Sequence, residues 1–209
     1  MKLTILGATG SVGRELVDQA LSAGHTVTVL VRNPEKLETS VSRVTVVQGD
    51  VTNADAVQRA IVGADAVLSA LGHSKSSPDD VLATASANAI AAMRPAGIKR
   101  LVVLANTALP AEGDQPTFGQ RLQGGMMNMI MGSINRDHVV QAQRISESGL
   151  DWTIVRAPVL ANGSRSGKYR IGSLNGKAGT RIVRADVADF MLACATNGKY
   201  LHAMPVISQ

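Results

Sequence analysis

Six short runs of the chain, Leu3 to Leu6, Thr26 to Val31, Val44 to Gln48, Ala66 to Ala70, Leu101 to Ala105 and Thr153 to Arg156, are rich in apolar and β-branched residues and do not alternate. Unbroken apolar runs suit strands covered on both faces, so the pattern predicts a parallel sheet. Between them, apolar residues return at helical spacing. In Val12 to Ala23 they fall at Val12, Leu16, Val17, Ala20 and Leu21, one face of a helix that Gly24 stops. Further helices are expected over Asp79 to Ala96, Asn135 to Ser148 and Ala185 to Thr196. Strand alternating with helix, joined by right-handed crossovers, gives a Rossmann-type, doubly wound α/β fold in one domain spanning residues 1–209.

Two stretches break the alternation. Ala111 to Gly132 is rich in Gly, Gln and Met, and Ala161 to Thr180 carries several glycines and basic residues. Both follow strands of the second half of the sheet, which places them at the carboxyl edge where open α/β sheets bind ligands. An acceptor site built by residues 106–132 and 156–180 is therefore expected.

The formal charge of +5 turns attention to anionic partners. Nucleic acid fits poorly, because the basic residues are scattered and five aromatic side chains are few for stacking on bases. A phosphorylated cofactor remains. One cysteine, Cys194, allows no internal disulfide and sits among apolar neighbours, so it reads as core in a reducing cytoplasm. The N-terminal apolar run is too short for a secretory leader, and no stretch approaches the roughly 18 apolar residues of a membrane span. No histidines or carboxylates stand at metal-ligand spacing, so no metal is expected.

The chemistry concentrates at Gly7-Ala8-Thr9-Gly10-Ser11-Val12-Gly13, directly after the first strand and opening the first helix. Gly7 permits a tight turn, Gly10 lets backbone approach a pyrophosphate, and Gly13 lets helix lie close on strand. The helix start adds unpaired N–H groups and a partial positive charge. At the end of the second strand, where NAD-binding proteins carry an acid for the ribose hydroxyls, stands Arg32, suited to the 2′-phosphate of NADP. Asp50 and Val51 close the third strand and Ala70, Leu71 and Gly72 the fourth. Small residues there admit ribose and pyrophosphate, while Asp50 suits either an adenine contact or a turn cap.

Together these residues resemble an atypical short-chain dehydrogenase/reductase of the NmrA-like group, most closely the biliverdin-IXβ reductase (flavin reductase) family. The resemblance runs through GATGxxG at Gly7 to Gly13, VTVLVR at Val27 to Arg32, GDV at Gly49 to Val51, ESGL at Glu147 to Leu150 and RADVADFML from Arg184 to Leu192. It implies NADP(H) as cofactor and direct hydride delivery to a flat acceptor such as a flavin, quinone or linear tetrapyrrole. Where the family has a Ser after the fifth strand and a His after the sixth-strand proline, this chain has Ala105-Asn106-Thr107 and Pro158-Val159. That departure favours flavin over tetrapyrrole.

Short-chain dehydrogenases that work on alcohols use a Tyr with a Lys four positions on. Here Tyr169 and Tyr200 are followed at that distance by Ser173 and Met204, so the pair is missing. A flavin or quinone needs only positioning, with the proton taken from water. Asn106 and Thr107 are the catalytic candidates, with Ala105, Arg156 and Pro158 as neighbouring cofactor contacts. Met126 to Met131 is a candidate lid, core element or dimer contact. His73 and His138 each stand alone in the sequence and read as structural. The expected partner is a small aromatic acceptor, with the protein a monomer or homodimer; a dinucleotide-binding redox sensor and a reductase of small carbonyl compounds are the rival readings.

Overall fold

The computed structural model describes residues 1–74, 76–115, 117–119, 132–175 and 177–209, with backbone only for 38–41. Six strands, β1 (Lys2–Leu6), β2 (Thr26–Val31), β3 (Thr45–Gln48), β4 (Ala66–Ser69), β5 (Arg100–Asn106) and β6 (Asp151–Ala157), run parallel. Their spatial order is 3-2-1-4-5-6. The order reverses between β1 and β4, which opens a crevice at their carboxyl ends.

The sheet goes beyond the six expected strands. β10 (Val206–Ser208) extends it parallel to β6, and β8 (Arg170–Gly172) forms the outer edge, antiparallel to β10. β7 (Val159–Ala161) and β9 (Arg181–Val183) make a separate two-stranded parallel ladder. Each of these four is three residues long, too brief to carry a periodic signal.

Among the described residues, five α-helices cover the faces: α1 (Ser11–Ser22), α2 (Ala54–Ile61), α3 (Val81–Met93), α4 (Gly132–Ser146) and α5 (Arg184–Asn197). α1 packs with α5 on one side, and α2, α3 and α4 form the other layer. Each layer has its own core. Ile5, Leu16, Leu68, Val102 and Val187 lie in the first; Ile61, Val67, Met93, Ile145 and Ile154 in the second. Burial of each such aliphatic side chain stabilises the fold by about 1.5–3 kcal/mol.

α2 was not among the expected helices, although its signals are present. Asn53 caps it, accepting from Ala56 N at 2.9 Å, and Ala56, Val57, Ala60 and Ile61 form its buried face. Its eight residues are simply few. At the far end of the sheet Cys194 is core, as expected, with its thiol pushed up to about 11 by burial. Buried Arg100 donates to the Cys194 carbonyl at 3.1 and 2.8 Å and so ties the end of α5 to β5. Among the described residues, no helix is long and apolar enough to cross a membrane.

Candidate dinucleotide and acceptor site

The turn after β1 is shaped by main chain. Gly7 has φ of +83°, and a Cβ there would stand 2.8 Å from the Ala70 carbonyl group. The glycine is thus needed both for its backbone angle and for contact with the exit of β4. A Cβ on Gly13 would collide with the Gly7 carbonyl oxygen. Gly10 N donates to that same oxygen at 3.0 Å, and Gly10, in extended backbone, precedes α1 with no side-chain cap. The first helical bond is Arg14 N to Gly10 O, so the N–H groups of Ser11, Val12 and Gly13 point outward from the helix start. Val12 offers only its N–H, because its side chain is 4% exposed in the α1–α5 core. This cradle fits a dinucleotide pyrophosphate.

An open cleft continues from the turn across the exits of β2, β3 and β4. Gly7, Thr9, Arg32, Asp50, Val51, Leu71 and Gly72 all line it, together with Ser74, Ser77 and Pro78. Arg32 Nε lies 3.8 Å from Asp50 Oδ2, both half exposed. Asp50 does two things. It faces the cleft, and its Oδ1 accepts from Thr52 N at 2.9 Å and from the Thr52 hydroxyl at 2.8 Å. Partial burial works to raise its carboxyl, but the Thr52 bonds and Arg32 outweigh it and hold the group below the usual carboxylate range. Asp50 is therefore engaged, and the residue that directly follows β2 is Arg32 and not an acid.

Sequence reasoning missed a second cation beside the glycine turn. Arg14, in the first turn of α1, donates to Thr9 O at 3.3 Å and to Lys36 O at 3.1 Å, bridging the glycine turn and the segment after Arg32. A basic residue right after the last glycine was the available signal.

The segments expected to build an acceptor site follow β5 and β6. Asn106, the last residue of β5, pairs in register with Ala157. Its Oδ1 accepts from Ala108 N at 2.9 Å, which turns its amide nitrogen toward Asn135 Oδ1 at 3.4 Å. Thr107 sits in the same turn, half-buried. Ala105 is 5% exposed and faces the core, and Pro158 links β6 to β7.

Arg156 corrects the expectation of a cofactor contact. It is 1% exposed, and its guanidinium is taken up by protein: Met204 O at 2.9 Å, Leu109 O at 2.9 Å and both oxygens of Asp114. Asp114 also accepts from Ala111 N and Leu174 N. Burial works to raise its carboxyl, yet Arg156 and these N–H bonds hold it below the usual range. The pair is a strap that binds the segment after β5 to the segment after β6. Residues 126–131 lie outside the described residues.

Nor do the two histidines stand alone. His73 Nε2 lies 2.9 Å from Asp137 Oδ2, off the line of a good hydrogen bond, and His138 adjoins the same carboxylate in sequence. Asp137, on α4, accepts from Leu82 N and Ala83 N, so it caps α3 from a neighbouring helix. Burial lowers the His138 ring from its ordinary value, and nearby His73 adds to this, against opposing effects of Gln141 and Asp137. The group ties α4 to α3 and to the segment before it, and the sequence does not mark it because His73 lies 64 positions from Asp137.

The NAD(P)H-binding family matches residues 7–198, and the chain belongs to it. It is 33% identical over 192 residues to (4-alkanoyl-5-oxo-2,5-dihydrofuran-3-yl)methyl phosphate reductase of Streptomyces griseus, over 92% of this chain and 57% of that protein. It thus spans less than two thirds of that relative's length. Among solved structures, ChuY of Escherichia coli O157:H7, an anaerobilin reductase, superposes with a TM-score of 0.83 at 21% identity, covering 100% of this chain and 97% of that one. A short-chain dehydrogenase/reductase of Veillonella parvula in complex with NADP superposes with a TM-score of 0.81 at 18% identity, covering 100% and 94%. Both show the same fold.

Proposed function

We propose that the protein is an NADPH-dependent reductase that delivers hydride to a flat, conjugated acceptor such as a flavin or quinone. The carrying observation is what stands at the exits of β5 and β6. Among the described side chains there, the Asn106 amide and the Thr107 hydroxyl have a proton to share in a hydrogen bond, and both tyrosines are engaged elsewhere. Tyr169 donates to Asp189 at 2.8 Å and meets Phe190 edge-on; burial and Asp189 push its hydroxyl well above the ordinary phenol value. Tyr200 stacks at a tilt on the other side of Phe190. Neither serves as the acid of an alcohol dehydrogenase.

When bound, the nicotinamide supplies the hydride. The glycine turn holds the pyrophosphate, and Arg32 with Arg14 favours the 2′-phosphorylated cofactor over its unphosphorylated form. The Asn106 amide would donate to an acceptor carbonyl and so orient the acceptor at the exits of β5 and β6. Reduction would use the cofactor's hydride and one proton from water to give the dihydro product. The names of two relatives, reductases of a dihydrofuran phosphate and of anaerobilin, support reduction of a conjugated system.

The test is turnover. Purified protein with NADPH and either FMN, riboflavin or a quinone should oxidise NADPH, followed by nicotinamide absorbance. Tight NADPH binding without oxidation by any of these acceptors would overturn the reading in favour of a redox sensor, and turnover confined to simple aldehydes would redirect it to carbonyl reduction.

A further inference from the structure

Arg184 opens α5, yet its side chain reaches across to the start of α1. Its Nε donates to Ser11 Oγ at 3.0 Å and its Nη1 donates to Asn162 Oδ1 at 2.6 Å. Neither helix has a side-chain cap at its N-terminus. A guanidinium therefore stands where two helix dipoles present their positive ends. Among the described residues no carboxylate pairs with it. The nearest candidate by sequence, Asp186 in the first turn of α5, is spent on Ser166 N, Ser166 Oγ, Gly167 N and Gln209 Nε2.

Asp186 offsets the positive end of α5, but the start of α1 and the Arg184 guanidinium face the same turn with no carboxylate between them among the described residues, so an anion seated there is stabilised by both. The glycine cradle already identifies that anion's place, since Ser11 is the first residue of α1 and its N–H belongs to the amide-rich turn. We infer that Arg184 is a side-chain ligand of the dinucleotide pyrophosphate, supplying the charge that the glycine turn, built of neutral amides, lacks. Its hydrogen bond to Asn162 extends the grip to the segment between β7 and β8, so the acceptor side is held to the bound cofactor. This assignment depends on the cofactor site and not on the identity of the acceptor.

Calorimetric titration separates the outcomes. NADP+ carries the pyrophosphate, whereas adenosine 2′-monophosphate carries the adenine and 2′-phosphate without it. Arg184→Ala should weaken NADP+ binding about tenfold or more while leaving adenosine 2′-monophosphate within about twofold. Arg184→Gln keeps amide hydrogen bonding to Ser11 and Asn162 without charge, and should lose NADP+ affinity to a similar degree; Arg184→Lys should recover part of it. NADP+ affinity unchanged in the Ala and Gln variants would overturn the inference, and so would equal weakening of both ligands, which marks a distorted cleft. Failure of the unsubstituted protein to bind NADP+ would remove the cofactor site itself and this inference with it.

Discussion

Around Gly7 the carboxyl edge of the sheet is shaped by backbone lying on backbone, whereas over β5 and β6 it is held by side chains that reach across long stretches of sequence. At the dinucleotide end, Gly7 rests on Ala70 and Gly13 on Gly7. At the β5–β6 end, Arg156 clasps Asp114 and Asp186 gathers Ser166, Gly167 and Gln209. Backbone contact admits only glycine and fixes a geometry that every dinucleotide shares. Side-chain straps can be redrawn without disturbing the sheet, which is how one scaffold serves many acceptors.

Cutting the strap should give the largest effect. Asp114→Ala strands a guanidinium that is 1% exposed, and loss of about 3–5 kcal/mol is expected in chemical denaturation. A midpoint equal to that of the unsubstituted protein would show that the acceptor half does not depend on this pair. Next comes the backbone-built half. Gly13→Ala drives a methyl group into the Gly7 carbonyl, at a cost of about 1–3 kcal/mol, and NADP+ titration should show binding lost together with the turn. Arg32→Ala is a milder change at the rim: KM for NADPH should rise about tenfold with KM for NADH unmoved. Equal changes for both would dismiss the 2′-phosphate assignment.

The smallest effect concerns pH. Burial keeps the His138 ring below its ordinary value of 6.5, so the unfolded chain takes up a proton at higher pH than the folded one does. Between those two values the unfolded state binds more protons, and stability falls as pH drops from about 6.5 toward the folded value, by no more than about 1.4 kcal/mol per unit. His25, also lowered by burial and by the N-terminal ammonium, contributes in the same direction. Denaturant midpoints at pH 7.5 and 5.5 should therefore converge partly in His138→Gln. An undiminished difference would place the linkage elsewhere.

The contrast also explains what could be read from the chain. Leu3 to Leu6, the glycines that follow and Arg32 are local signals: a strand, its turn and the next strand's end announce a phosphate cradle within a few residues. The six long parallel strands were legible for the same reason. Arg156 was not, because its place at the end of an apolar run says nothing of Asp114, 42 positions away. His73 and His138 look isolated in sequence, and only the packing of α4 on α3 brings them to one carboxylate. Arg184 lies 173 positions from Ser11. Pattern reveals elements and turns, while straps and shared acceptors emerge only from the tertiary arrangement.

β8 has a consequence beyond the acceptor. It is the outermost strand on its side, only three residues long, set against its neighbour's direction and exposed along its length, with Arg170 at its start and Gly172 at its end. An open β-sheet flank invites a strand from another molecule to dock and continue the ladder. So short a border, bearing a charge and a residue poor at sustaining extended pairing, offers an incoming strand almost no template, which guards the protein against stacking into aggregates.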